Sequence, residues 1–274
     1  MSLRQLALAA LCEARPDAKI TAVQALWHAR EQLTLNAATQ LQPSATQTLP
    51  GRPERPALIH PGRVPSRSPH TLHGRAALLH AICHIEFNAI NLALDAVWRF
   101  HAMPGAFYMD WLRVAFEESQ HFDMLRTHLR TMTDGDRHWD YGDLDAHDGL
   151  WAMCEKTKGD IVARMALVPR TLEARGLDAT PLIQAKLAKI QTDDARQTIT
   201  LLDTILRDEI GHVAIGNHWY RWLCEQAQLN PVSHYATLVR QYDAPKLKPP
   251  FNQAARHQAG FSDVELSYLL GDGT

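Results

Sequence analysis

The sequence has few cysteines, and they lie far apart. Cys12, Cys83, Cys154 and Cys224 form no C-x-x-C pair. A disulfide framework and a zinc ribbon are therefore not expected, and the spacing fits a reducing compartment. Segments with the alternating pattern of β-strands are also scarce, whereas long Ala-, Leu-, Glu- and Arg-rich segments with helical spacing are common. The chain is therefore predicted to be all-α.

The sequence also lacks a large excess of positive or negative charge, because its formal net charge at pH 7 is -2. This balance gives no general electrostatic case for binding nucleic acid or an anionic membrane. No apolar run approaches the ~20 residues that a membrane helix needs. Residues 5–12 are apolar like a very short signal sequence, but Glu13 and Arg15 follow at once, and a buried helix face explains them equally well. We expect a cytoplasmic soluble protein.

Composition along the chain indicates four segments. They are an N-terminal helical hairpin, a proline-rich strap or linker, a bundle of four long helices and a C-terminal extension, at residues 1–40, 41–72, 73–229 and 230–274. The hairpin is broken at Pro16. The second segment is either a disordered linker or an extended strap, and the apolar residues Leu58 and Ile59 between its prolines favour the strap.

The four long helices are amphipathic. Their predicted limits are about 74–101, 106–132, 148–175 and 194–228. The third helix is predicted to end at Gly176, and a short helix follows with Thr180 as its N-cap and Pro181 in its first turn. Pro169 removes a backbone donor inside the third helix, which predicts a kink or a π-bulge there.

A Glu-x-x-His motif occurs twice, at Glu118–His121 and Glu209–His212. In each, the carboxylate and the imidazole share one helix face a turn apart. The helix before each motif carries one Glu on or beside its apolar stripe, Glu86 and Glu173 respectively. Ferritin-like dimetal proteins use this set, with one Glu from each of two helices and a Glu-x-x-His from each of the other two. The predicted metal ligands are Glu86, Glu118, His121, Glu173, Glu209 and His212.

These six side chains suit a pair of divalent cations. Four carboxylates bring four negative charges, which balance the four positive charges of two divalent ions in a dry interior. Oxygen donors with one imidazole per metal suit iron or manganese better than tetrahedral zinc. We therefore expect two metal ions, preferably Fe/Fe, with Mn/Fe and Mn/Mn as alternatives. Such a ligand set leaves positions open for O₂ or water.

Each of these features also has a structural interpretation. The two motifs can be ion pairs on solvated helix faces, although apolar residues flank them. Glu173 lies off the centre of its stripe. His80 and His84, at i and i+4, can hold a metal, but they lie on a different side of their helix from Glu86, which favours a hydrogen-bonded or solvated face. Cys83 either contacts the site or is an inert buried thiol.

Stretches spread over most of the chain carry a family resemblance. They are Gly74–Glu86, Glu118–His121, Pro169–Asp178, Asp208–Val213, Pro50–Pro53 and Asn252–Gly260. Together they resemble the ferritin-like family catalogued as domain of unknown function 455. The resemblance implies a ferritin-like bundle with a dinuclear, iron-containing centre, and it implies no substrate. Within the wider superfamily the chain is more similar to a tRNA-modifying hydroxylase than to storage ferritins, an analogy at the level of the fold.

Several functions agree with these features. The first is an O₂- or peroxide-activating oxidase or hydroxylase, with a small organic substrate and an electron donor that the sequence does not identify. The second is iron handling by a ferroxidase or peroxide scavenger, although the added segments would obstruct cage packing. The third is tRNA hydroxylation, suggested by arginines in residues 41–72 but disfavoured by the acidic balance. A metal-free helical interaction module would leave the buried carboxylates unexplained.

Overall fold

The computed structural model describes residues 1–271. These residues are mostly α-helical, which confirms the all-α class. The helices are α1 (Leu3–Cys12), α2 (Pro16–Ala29), α3 (Leu72–Arg99), α4 (Gly105–Thr131), α5 (Gly149–Lys156), α6 (Ile161–Leu167), α7 (Ala174–Leu187), α8 (Asp193–Gln226), α9 (Pro231–Gln241), α10 (Gln253–Gln258) and α11 (Asp263–Leu270). A π-helical turn, Val168–Glu173, joins α6 to α7, and β1 (Thr133–Asp134) pairs with β2 (Arg137–His138) in antiparallel orientation.

The described chain forms two compact units. The first comprises Met1–Gly149 and Ile190–Thr198, and the second comprises Leu150–Lys189 and the residues from Ile199 onward. The first unit therefore contains α3 and α4, and the second contains the π-helical turn, α7 and most of α8. The predicted ligands divide into two groups of three, one in each unit.

Helices α3 and α4 pack along each other in the centre of the first unit. The Thr71 side chain caps the start of α3 by accepting a hydrogen bond from the Gly74 amide, which satisfies one of the unpaired donors of the first turn. Helix α1 packs on α3, and α2 packs on α4. A capping box between Ser2 and Gln5 fixes the start of α1.

The proline-rich segment lies along the first unit. The Gly51 amide donates to the Leu11 carbonyl at the end of α1, at 2.8 Å, and a Cβ at Gly51 would lie 2.2 Å from the Cys12 carbonyl oxygen. Further along, the Ile59 amide donates to the Ala146 carbonyl, at 2.8 Å. These contacts place extended backbone against helix and loop backbone, and only glycine allows the close approach at position 51.

Helix α3 corrects the expectation about apolar runs. By length and composition, an 18-residue window of Leu72–Arg99 is apolar enough to cross a membrane, with a mean hydropathy of 1.3. However, 78% of that window is buried inside the structure. Burial of this kind is typical of the core helix of a soluble protein.

The third predicted helix is interrupted rather than continuous. Helix α5 ends at Lys156, and α6 begins after Asp160, whose side chain accepts from the Ala163 amide. The predicted distortion at Pro169 is confirmed, because the chain forms a π-helical turn over Val168–Glu173. The π-helical turn accommodates Pro169, which cannot donate a backbone hydrogen bond.

Two predicted features after this turn are wrong. Helix α7 continues through Gly176, and Pro181 lies inside it, so Thr180 does not cap a new helix. The Pro181 ring removes the donor that the Leu177 carbonyl would otherwise receive in the helix. The Asn252 side chain supplies that donor from Nδ2, at 3.2 Å. The Asn252 side chain thus replaces the backbone hydrogen bond that Pro181 removes.

The C-terminal extension is more helical than predicted. The expected last helix near residues 263–270 is α11, but α9 and α10 precede it. Phe261 and Leu266 from this extension pack with Ala174, Leu177 and Val213 in the apolar core of the second unit. The extension is therefore a structural part of that unit.

Candidate metal centre

Three predicted ligands meet in the first unit. Glu86 lies on α3, and Glu118 and His121 lie one turn apart on α4. Their ligand atoms all lie within 4.8 Å of one another. His121 Nδ1 is 3.2 Å from Glu118 Oε2 and 3.4 Å from Glu86 Oε2. We call these three residues the first ligand group.

The first ligand group is inaccessible to solvent. Glu86, Glu118 and His121 are 3%, 0% and 1% exposed. Ile90 on α3 and Val114 on α4 are completely buried along the same seam. The alternative of an ion pair on a solvated face is therefore wrong for Glu118 and His121. An apolar seam that contains two acids is energetically costly unless positive charge compensates them.

Burial and neighbouring charges perturb the pKa values of Glu86 and His121. Desolvation, followed by the neighbouring Glu118 carboxylate, raises the pKa of Glu86 well above its ordinary value. Burial alone would lower the pKa of His121, but its hydrogen bonds and charge interactions with Glu118 and Glu86 raise that pKa well above its ordinary value. Two acids share one imidazole in a dry site. Perturbed groups of this kind are typical of functional sites.

The other three predicted ligands lie in the second unit. Glu209 and His212 lie one turn apart on α8, with His212 Nδ1 3.7 Å from Glu209 Oε1. Glu173 is the last residue of the π-helical turn. His212 is completely buried, and Glu209 and Glu173 are each 8% exposed. The solvated-face alternative is therefore wrong for this motif as well. We call these residues the second ligand group.

His80 and His84 belong to a separate, hydrogen-bonded network in the first unit. With its proton on Nε2, His84 donates to the His147 carbonyl at 3.1 Å and accepts from the Tyr141 hydroxyl at 3.0 Å. His80 Nε2 accepts from the Gly142 amide at 2.9 Å. Burial lowers the pKa of each histidine to about 4, so both are neutral at pH 7. They lie on a hydrogen-bonded face that is buried rather than solvated.

Cys83 lies one turn before Glu86 and is completely buried. Burial, followed by the nearby Glu86 charge, raises the pKa of its thiol well above its ordinary value. In the metal-free chain the thiol therefore favours its protonated form, which is unreactive. This chemistry agrees with the interpretation of Cys83 as an inert buried thiol.

Sequence reasoning missed the polar support of the π-helical turn. Arg170, three residues before Glu173, is buried and donates to the side chains of Asn217 and Glu265. The proline at 169 indicated the distortion of the helix, but no local pattern links Arg170 to partners 47 and 95 residues away. One sequence signal was present at Glu265, because Ser262 and Glu265 have the spacing of a capping box.

Comparison with known proteins places the chain in a family. Residues 12–267 match the family described as "Protein of unknown function (DUF455)". The chain belongs to this family. An uncharacterized protein of Haemophilus influenzae is 50% identical to this DUF455 protein over 224 residues, which are 79% of this chain and 75% of the relative. No solved structure matches the chain significantly. The family assignment from the sequence is confirmed, and it covers both ligand groups.

Proposed function

We propose that this DUF455 protein binds a pair of divalent metal ions within a ferritin-like four-helix bundle. The proposed ligands are Glu86, Glu118, His121, Glu173, Glu209 and His212. The observation that carries the proposal is the first ligand group, in which two buried carboxylates and a buried imidazole lie within 4.8 Å of one another. The second ligand group supports it, because the same residue types are buried again on α8 and the π-helical turn.

The chemistry of the donors fits a metal ion better than a structural role. Desolvation and mutual repulsion both disfavour two carboxylates at this separation. A divalent cation relieves both effects at once, because it attracts both acids and replaces their lost hydration. Carboxylate oxygens with one imidazole per metal suit iron or manganese, and Fe/Fe is the pair we favour.

We further propose that the protein is an oxidoreductase that uses O₂ or peroxide on a small organic substrate. When bound, a pair of redox-active ions would supply the electrons that activate O₂ or peroxide. The residues of the chain would hold the ions and, through the apolar seam around Ile90 and Val114, exclude bulk water. Helices α1 and α2 cover parts of α3 and α4, which disfavours a storage cage built on these surfaces.

Metal loading tests the proposal. The full chain is stripped with a chelator, loaded anaerobically with Fe²⁺, desalted and measured for iron per chain, and then exposed to O₂ while its absorption is recorded. Glu118→Gln and Glu209→Gln remove one proposed ligand from each group. Glu117→Gln is the matched control, because Glu117 precedes Glu118 on α4 but is partly exposed and faces Arg113.

We expect two irons per wild-type chain and a change in absorption when O₂ is added. Each ligand variant is expected to lose at least one iron per chain, and the control is expected to keep both. A wild-type chain that retains no iron would contradict the metal proposal. A loaded chain whose absorption does not respond to O₂ or peroxide would contradict the oxidoreductase proposal alone.

A further inference from the structure

Arg170 lies in the π-helical turn and is almost completely buried, with 3% of its surface exposed. Its Nη1 donates to Asn217 Oδ1 on α8, at 2.7 Å. Its Nη2 donates to Glu265 Oε1 on α11, also at 2.7 Å. The guanidinium therefore ties the turn to two helices of the second unit. Two short, charge-assisted hydrogen bonds in a buried site are strong and directional, so they restrict where the turn can lie.

Aromatic rings enclose the same guanidinium. Its Cζ lies 5.0 Å from the ring centroid of Tyr220, 5.3 Å from that of Tyr235 and 4.8 Å from that of Phe261. These separations are within the range of cation–π attraction. The rings come from α8, from α9 and from the segment before α11, so the surroundings of Arg170 depend on the C-terminal extension.

Other contacts hold the turn on its remaining sides. Thr171 Oγ1 donates to the Ala166 carbonyl at 2.7 Å and accepts from the Tyr235 hydroxyl at 2.9 Å. Pro169 sits against Gly216, where a Cβ would lie 2.6 Å from the proline ring. π-Helical turns are rare and occur frequently at functional sites. This one is anchored on both sides of Arg170, and Glu173 ends it.

We propose that Arg170, Asn217 and Glu265 form a clamp that positions Glu173 as a metal ligand, an inference that rests on the proposed function. Asn217 follows His212 by five residues on α8, so one helix carries both the ligands and an anchor of the clamp. Glu265 brings the counter-charge from the C-terminal extension. The extension thus has a role in the metal site, although none of its residues is a proposed ligand.

The sequence separation of Arg170 and Glu173 supports this proposal. Glu173 lies three residues after Arg170 in the same turn, so a shift of Arg170 moves the Glu173 backbone. Residues outside the ligand set that fix the orientation of a metal ligand typically change metal affinity by roughly 10- to 100-fold when they are replaced. The three residues of the clamp are positioning residues, because they act through Glu173.

Cobalt binding tests the clamp. The full chain, stripped of metal, is titrated anaerobically with Co²⁺, and the visible absorption of the bound ion reports its ligand geometry. Glu265→Gln removes the counter-charge but keeps the size of the side chain. Glu173→Gln, which removes the proposed ligand itself, provides the reference spectrum.

Asp178→Asn is the matched control. Asp178 lies five residues after Glu173 and forms a buried ion pair with Arg256, with Arg256 Nη2 2.6 Å from Asp178 Oδ2. The control removes a comparable charge from the same unit without removing a hydrogen-bond partner of Arg170. Arg170→Lys is a second clamp variant, because lysine keeps the charge but lacks the two-pronged geometry.

The clamp predicts that Glu265→Gln and Arg170→Lys weaken one of two Co²⁺ sites by roughly 10-fold or more. It also predicts that their absorption shifts toward that of Glu173→Gln, while Asp178→Asn keeps wild-type affinity and spectrum. Wild-type behaviour of Glu265→Gln, or an equal shift in the control, would overturn the clamp and leave the proposed function standing. A wild-type chain that takes up no Co²⁺ would overturn both.

Discussion

Glu86 occupies a position where a carboxylate is costly. It is 3% exposed, and its Oε2 lies 3.4 Å from His121 Nδ1 in a group that also contains Glu118. In the absence of metal, the group contains two acids and one base, so one acid is in excess. Burial and the neighbouring Glu118 raise the pKa of Glu86, which disfavours its charged form. We therefore propose that this carboxylate serves metal binding rather than stability.

This imbalance predicts the effect of Glu86→Gln. Glutamine resembles a protonated glutamate, so the free energy of unfolding of the metal-free chain should change by less than about 1 kcal/mol at pH 7. Metal uptake should nevertheless fall. Urea unfolding of the metal-free wild type, Glu86→Gln and Glu117→Gln provides the measurement. A loss of several kcal/mol in Glu86→Gln alone would show that the carboxylate has a structural role.

For Glu265 we predict the opposite of Glu86: its carboxylate is charged and stabilises the folded chain, because neighbouring arginines compensate its charge. Burial alone would raise its pKa, but the charge of Arg170, hydrogen bonds from Ser262 and the charge of Arg221 lower that pKa from 4.5 to about 2. A lowered folded-state pKa adds stability above pH 4.5, and that stability is lost as the pH falls toward 2. The second unit should therefore lose about 2 kcal/mol between pH 7 and pH 3 through this group.

Urea unfolding at pH 7 and pH 3 checks this prediction in wild type and Glu265→Gln. The variant should be less stable at pH 7, and the difference between the two proteins should shrink by about 2 kcal/mol at pH 3. A difference that is the same at both pH values would mean that Glu265 is not held as a charged partner of Arg170.

At the scale of elements, the π-helical turn depends on a close contact with α8. A Cβ at Gly216 would lie 2.6 and 2.7 Å from Cβ and Cγ of Pro169. The proline ring is fixed in the chain and cannot rotate away, so the turn itself would have to move. Gly216 therefore sets how closely the turn approaches the helix that carries Glu209 and His212.

Gly216→Ala should thus destabilise the chain by about 1–3 kcal/mol and weaken metal binding. Gly176→Ala on α7 is the control, because a Cβ there meets nothing within 4 Å. The control should be neutral or more stable by up to about 1 kcal/mol, since alanine favours a helix. Thermal unfolding and cobalt titration compare the two. Equal behaviour of the two variants would contradict the role of the contact.

The sequence predicted local features of these elements and missed distant ones. The spacing of Glu118 and His121 placed both on one buried face, and Pro169 predicted the distortion of its helix, because these effects act within a turn or two. The continuation of α7 past Pro181 was not predictable, since it depends on the Asn252 side chain. The role of Arg170 was likewise not predictable, because its counter-charge, Glu265, lies 95 residues away in the sequence.

For the whole molecule, the segments outside the long helices are integral to the structure. The buried Lys19 amine donates to the carbonyls of Leu11 and Gly51, which fastens the proline-rich segment to the first unit. Helices α1 and α2 cover parts of α3 and α4. In the second unit, Phe261 contributes to the apolar core. A storage cage, by contrast, needs free outer helix surfaces for contacts between copies.

The whole molecule is therefore predicted to be a monomer or a small oligomer. Light scattering coupled to size-exclusion chromatography of the metal-loaded chain measures the mass, and negative-stain microscopy shows whether a cavity is enclosed. A hollow assembly of many copies would contradict this prediction and would favour iron handling over oxidation of an organic substrate.

Both ligand groups are proposed to hold metal. Anomalous diffraction from crystals of the full chain, grown anaerobically with Fe²⁺ and measured on both sides of the iron absorption edge, tests it most directly. We predict two iron peaks per chain, one coordinated by His121 and one by His212, with the four glutamates as further ligands. Iron peaks elsewhere, or no peak at either histidine, would contradict it.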